Sequence, residues 1–469
     1  MPRLKIALLG AGSSYFAGVL GDLAITSGLA GSEIALYDLD LDKSRLMAGL
    51  GDRFAAQAGS GLCVRACECL ADAVDGASFA ISSIGGSGAS LGGVHGTPAH
   101  SADMIIPARY GIFQIVGDTG GPAGMMMGLR SIPVYLSICR EMERRCPDAI
   151  LLNHSNPMAI LCRAMRKYTP INAIGVCHGV QGGTQRLAEL MSVAPEELEV
   201  QWIGTNHYYW FTRIRLHGRD IYAEVMQKAA ARTPPHGEVM SELLSQIYGY
   251  RLTYHDDAHE IEFYPFLAQV RDVTEMPYGY NGAIAQGDAD LHEGPRSSPS
   301  HAEKEALREK QITQFAEELD TRRLPKRAQS AVRSEGIASL VEAIATGRRE
   351  IRPLNLPNDG VVSNLPAHAI LEVEAVTDSC GARGIQVGEA PLALMGLLQK
   401  RIAWQEMVVD AGVKGDRQLA LQALMLDEMA IPPEKAITML DELIAASQDL
   451  LPQFAPGPEA RLAPGVASR

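Results

Sequence analysis

The chain has 469 residues, 46% of them hydrophobic, which excludes an intrinsically disordered protein and leaves room for one large domain or two to three ordinary ones. Its 55 acidic against 42 basic residues give a formal charge of -13, which opposes binding to nucleic acid, because affinity for phosphate backbones rests on clustered Lys and Arg. Eight irregularly spaced cysteines in so long a chain exclude a disulfide framework.

The opening stretch LKIALLGAGSSYFAGVLGDLAI reads as strand, glycine turn and helix, and its short apolar run, broken by glycines, is not expected to be a signal peptide. No apolar stretch is long enough to cross a bilayer, so the expectation is a cytoplasmic protein with no membrane partner and with its cysteines as thiols. SEIALYDLD supplies a second strand ending in Asp38, followed by a helix from DKSRLMAGLGDRFAAQ. Gly10, Gly12, Ser13 and Ser14 open the first helix, where unpaired backbone N–H groups can hold a pyrophosphate. Asp38 stands where an acid would accept hydrogen bonds from an adenosine ribose, which favours NAD over its 2′-phosphorylated form. Tyr15 occupies the place of the third fingerprint glycine. In CVRACEC, Cys63, Cys67 and Cys69 admit a zinc reading, but side chains of a strand-like stretch account for them more simply.

Farther on, ASFAISSIGG, DAILLNHSNP and INAIGVCHG read as three more buried strands separated by helices. The predicted fold is α/β: a Rossmann-like, doubly wound parallel sheet over residues 1–200 that binds the dinucleotide. Residues 201–455 follow as a mixed α+β, helix-rich domain for substrate, metal and oligomerisation, with strand-like HAILEVEAVTD and long helices around LALMGLLQKRIAWQEMVVDA and DRQLALQALMLDEM. The polar segment HEGPRSSPSHAEKEALREKQITQFAEELD reads as an exposed loop leading into a helix, and 456–469 as a flexible tail. NHSNP and VCHG end strands at the carboxyl edge, where such sheets bind ligands. Cys177 and His207 are a candidate pair of ligands for a divalent transition metal; a buried thiol and a histidine bonded to backbone are the plainer alternative.

Together the motifs GAGSSYF, IPARYG, GDTGGPAG, NHSNP, CHG, GTNH, DDAHEIEFYP, NLPNDGVVSNLP and GDRQLALQALMLDE, in that order over nearly the whole chain, resemble glycoside hydrolase family 4, the NAD- and metal-dependent glycosidases. The resemblance implies Cys177 and His207 as ligands of a divalent metal, usually Mn2+. It implies Asn153 as a contact to the sugar hydroxyls and the nicotinamide, and Asp257 as the base, a Tyr or Asp according to subgroup. His259 belongs to the implied substrate site. His178 and Asp118 are candidates for the acid that protonates the leaving group, although either could serve only to fix its loop. Two departures stand out: Ala258, where an arginine is expected between Asp257 and His259, and Met104, where many members have glutamate.

The implied reaction takes hydride from C3 of the sugar to NAD+, removes the C2 proton, expels the glycosidic oxygen, adds water at C1 and returns the hydride. The two-carboxylate scheme does not apply to this family. CHG resembles the α-glucuronidase subgroup more than the CHS glucosidases and galactosidases, so the implied substrate is an unphosphorylated α-glycoside, first an α-glucuronide. An α-galacturonide, α-glucoside or α-galactoside is the alternative. A uronate would call for a cation, with Arg213, Arg219 and Arg251 equally open. The resemblance also implies a homodimer or homotetramer. Outside it stand an NAD-dependent hydroxy-acid dehydrogenase needing no metal, and a non-catalytic NAD-binding regulator.

Overall fold

The computed structural model describes residues 3–85, 98–114, 116–235, 238–252, 257–264, 336–429 and 431–455, with short pieces between 289 and 324. The polar segment 292–320 lies mostly outside them, and the tail 456–469 entirely so.

Six parallel strands form the frame: β1 Lys5–Leu9, β2 Glu33–Tyr37, β3 Cys63–Ala66, β4 Phe79–Ser82, β5 Ile150–Asn153 and β6 Asn172–Gly175. They lie in the order β3-β2-β1-β4-β5-β6, so the chain reverses direction across the sheet between β1 and β4. Strands such as KIALL and ILLN are apolar on both faces because helices cover both. Ile6 and Leu8 of β1 enter one core, with residues of α1 Tyr15–Ile25 and α2 Leu41–Ala58. Ala7 and Leu9 enter the other, beside α3 Leu70–Val74, α4 Pro98–Arg109, α5 Gly121–Arg145 and α6 Met158–Tyr168. The ends of α2 are written in its sequence. The Asp40 side chain accepts from Lys43 N–H at 3.2 Å at its start, and Gly59 leaves it with φ 63°.

After α7 Gly179–Met191, the strands β7 Leu198–Thr205 and β8 Tyr208–Leu216 make a hairpin with the two-residue turn Asn206-His207. Then come α8 Tyr222–Ala230, α9 Val239–Tyr248 and the short helix α10 Asp257–Glu260. Beyond α11 Ile337–Thr346, the strands β9 Glu350–Pro357, β10 Ile370–Asp378 and β11 Gly381–Gly384 join the first sheet as antiparallel neighbours beyond β6, giving nine strands among the described residues. The parallel expectation thus holds for the first six strands, and the sheet continues into the second half of the chain. Asn355 lies opposite Gly175 at the junction, where a Cβ on residue 175 would stand 2.7 Å from that of Asn355. Only glycine admits so close an approach.

The hairpin is seated on β10: the Trp202 indole N–H donates to the Glu372 carbonyl at 2.9 Å, and Thr205 Oγ1 to the Ile370 carbonyl at 3.0 Å. The helix α12 Leu392–Lys414 packs along α5 and α6, and α13 Arg417–Leu426 and α14 Pro433–Ala446 close that layer. Among the described residues no helix is long and apolar enough to cross a membrane.

Candidate active site

A cleft of about 1320 Å³ runs along the carboxyl ends of β1, β2, β4 and β5. Gly10 and Ser13 line one wall, Asp38 and Leu39 the far end, and His154, Ser155, Asn156 and Asp118 the near end. Gly10 adopts φ 82°, and a Cβ there would stand 2.3 Å from the Ser83 carbonyl oxygen, so the turn needs glycine. Asp38 accepts Gly12 N–H at 2.8 Å on one oxygen and Asp40 N–H at 2.9 Å on the other, which fixes the carboxylate at the cleft. Tyr15 stands in place of the third fingerprint glycine, its hydroxyl lying 2.9 Å from His154 Nε2. Size and lining suit a dinucleotide extended from Asp38 to Asn156.

At the near end Asn153 is engaged internally. Its amide oxygen accepts from Tyr135 OH at 2.7 Å, Ser155 N–H at 3.0 Å and Ser82 Oγ at 3.1 Å, while its nitrogen donates to the Ser155 carbonyl at 3.0 Å. Burial raises the Tyr135 phenol pKa, so it remains a donor. Asn153 therefore shapes the loop, and Asn156 is the asparagine that lines the cleft. Asn156 donates to Asp118 Oδ2 at 2.8 Å, and its own buried amide oxygen has no protein partner among the described residues. The sequence carried a signal for this: residues just beyond a strand's carboxyl end, not the last strand residue, face the ligand in such sheets.

Asp118, His207 and His259 converge. Their ligand atoms all lie within 4.8 Å of one another, and no other group of three His, Cys, Asp or Glu among the described residues is placed to hold an ion. His207, 4% exposed, projects from the β7–β8 turn with φ 63°. Its Nδ1 lies 3.0 Å from Thr119 Oγ1, and Thr119 in turn donates to Asp118 at 2.7 Å. The His259 ring stands edge-on to it at 5.1 Å. One carboxylate and two imidazoles match the hard-to-borderline donor set of a divalent ion such as Mn2+ or Zn2+.

Cys177 stands outside this group. Buried at the end of β6, it accepts Gly179 N–H at 3.4 Å and is within electrostatic reach of Tyr209. His178 is exposed at the start of α7. Asp257 opens α10, two residues before His259, and its side chain and that of Ala258 lie outside the described residues. Burial pushes the phenols of Tyr208, Tyr209 and Tyr264 upward, and Glu372, Glu260 and Cys177 add to the shift at Tyr209. None of the three suits a base near neutral pH. Met104 is buried against Gly117. The candidate arginines go elsewhere: Arg251 is buried against Glu242, Arg219 is exposed beside Glu224 at 3.1 Å, and Arg213 lines a separate surface groove with Arg215 and Glu374.

The sequence model of the family 4 glycosyl hydrolases matches residues 5–193, and that of their C-terminal domain residues 202–430. The chain belongs to glycosyl hydrolase family 4. Among relatives of this family 4 chain, an α-galactosidase of Bacillus subtilis (strain 168) is 33% identical over 96% of this chain and 99% of its own length. An α-galacturonidase of the same organism is 29% identical over 92% of this chain and 94% of its own length. A solved 6-phospho-α-glucosidase from gut microorganisms, in complex with NAD and Mn2+, has the same fold. Its TM-score is 0.77 at 21% identity, over 96% of this chain and all of that one. The family 4 chain is thus a glycoside hydrolase with a Rossmann-type sheet and a helix-rich C-terminal half.

Proposed function

We propose that the protein is an NAD+- and divalent-metal-dependent α-glycosidase acting on an unphosphorylated α-hexoside. The observation that carries this reading is the meeting of Asp118, His207 and His259 at the nicotinamide end of a dinucleotide-sized cleft. His207, Asp118 and His259 would hold the ion, with Cys177 as a further, softer candidate donor from the same sheet edge. NAD+ bound in the cleft would supply hydride chemistry at C3 of the sugar, and an ion held by these residues would supply the positive charge that acidifies the proton at C2.

The residues of the chain do the rest. The turn from Gly10 to Ser14 seats the pyrophosphate at the start of α1, with Gly12 N–H spent on fixing the Asp38 carboxylate; Asp38 takes the ribose and disfavours a 2′-phosphate by charge. Asn156 holds Asp118 with its amide nitrogen and offers its oxygen to a sugar hydroxyl. Asp257 removes the C2 proton, a task for which the buried tyrosines are unsuited. His178, exposed at the start of α7, donates a proton to the departing glycosidic oxygen, because Asp118 is engaged by Thr119 and Asn156.

An α-galactoside is the first substrate. The resemblance to an α-galactosidase supports it, and Arg219 and Arg251, whose charges meet Glu224 and Glu242, leave no spare positive charge of their own for a uronate. An α-glucuronide is the second, favoured by the CHG sequence at 177–179. The test is hydrolysis of the p-nitrophenyl α-galactoside, α-glucuronide, α-galacturonide and α-glucoside, with NAD+ and Mn2+ each present or omitted. Cleavage that needs both additives, fastest on the galactoside and slowed by deuterium at C2, is expected. Asp257→Asn should lower kcat by about 10²- to 10⁴-fold. NADH accumulating on a hydroxy acid with no glycoside cleaved would overturn the reading.

A further inference from the structure

Two of the three converging groups sit on segments far apart in sequence: Asp118 on the loop before α5 and His259 on α10. One buried carboxylate ties these segments together. Glu262, 2% exposed in the turn after α10, accepts Val116 N–H at 2.7 Å and Gly117 N–H at 3.0 Å on Oε1. Its Oε2 accepts Gly117 N–H at 3.1 Å and Gln114 Nε2 at 3.3 Å. Gln114 closes the loop on itself, donating to the Gly120 carbonyl at 2.9 Å and accepting Ala123 N–H at 2.8 Å. Asp118 follows this pinned backbone by one residue, and His259 precedes Glu262 by three.

We infer that Glu262 is a positioning residue, setting the distance between Asp118 and His259 without itself touching metal, cofactor or substrate. The inference rests on the metal reading above. The physical argument is that an ionised acceptor satisfying several buried N–H donors makes bonds about twice as strong as neutral ones. A ligand carboxylate on an unpinned loop would have to be ordered at the expense of binding free energy, which is the usual reason outer-shell partners matter to metal affinity.

Glu262→Gln tests this. The substitution keeps one acceptor oxygen and turns the other position into a donor facing the donors of Gly117 and Gln114. Mn2+ dissociation constants would be measured by electron paramagnetic resonance on the full-length, NAD+-loaded protein, and NAD+ affinity by fluorescence without metal. The expected result is a rise of about 10- to 100-fold in the Mn2+ constant with NAD+ affinity unchanged. An unchanged Mn2+ constant would overturn the assignment, and so would an equal loss of NAD+ affinity, the mark of a merely structural role. Failure of the unsubstituted protein to bind Mn2+ would instead overturn the metal reading itself and this inference with it. Glu262→Asp, which keeps both oxygens but withdraws them by one methylene, reads the same way with a smaller rise should the glutamine variant not fold.

Discussion

His207 holds a backbone conformation that costs a residue with a Cβ, at φ 63° in a two-residue turn, because its imidazole is wanted there. Alanine at 207 would keep the strain and lose the ring, whereas glycine would lose both. His207→Gly is therefore expected to be more stable than His207→Ala by about 1 kcal/mol in urea unfolding, with Mn2+ affinity reduced at least 10-fold in both. An alanine variant as stable as the glycine one would show that the turn is unstrained. At this scale the sequence held each of Asp118, His207 and His259 as a candidate, but not their grouping, which depends on a left-handed turn and a loop pinned from residue 262. Asn153 and Asn156 are three positions apart in one motif, and only the point at which β5 ends decides which of them reaches the cleft.

Between α6 and α12 runs a half-buried ion network. Glu406 accepts from Arg163 Nε at 2.7 Å and Lys167 Nζ at 2.5 Å, and Asp410 from Lys167 at 2.5 Å and Tyr168 OH at 2.8 Å. Burial works against both carboxylates, but the hydrogen bonds from Arg163, Lys167 and Tyr168 outweigh it and hold their pKa values below the usual carboxylate range. Since the folded values are depressed, the stabilisation is full above the unfolded pKa values near 4 and is lost as pH falls through the folded ones. The Tm of the unsubstituted protein should thus exceed that of Lys167→Met by a constant margin from pH 7 to about pH 5, narrowing below pH 4. A margin that stays level down to pH 3 would exclude the network as its source. Helices α2, α12 and α13 and the strand β10 were legible from periodicity and caps, since those signals are local. That β9, β10 and β11 join the first sheet was not, because strand partners separated by a long stretch of chain leave no local mark.

Across the whole molecule all eight cysteines are free, and the structure sorts them by exposure. Cys63, Cys69 and Cys380 are exposed, while burial pushes Cys139 and Cys162 up to about 12 and Cys146 up to about 11. Iodoacetamide at pH 8 should accordingly modify the three exposed thiols of the native protein and all eight in denaturant, as counted by mass spectrometry. Rapid native labelling of Cys139 or Cys162 would mean that the layer around α5 and α6 opens in solution. The continuity of the sheet has a last consequence, for the order in which the protein can be made. The edge of β6 at Gly175 is not closed until Asn355, roughly 180 residues later, so a ribosome adding about 5–20 residues per second leaves it uncovered for about 10 to 40 seconds. During that interval the nascent chain presents an open parallel edge, the feature most prone to pair with a stranger, and its protection falls to whatever meets it at the tunnel exit.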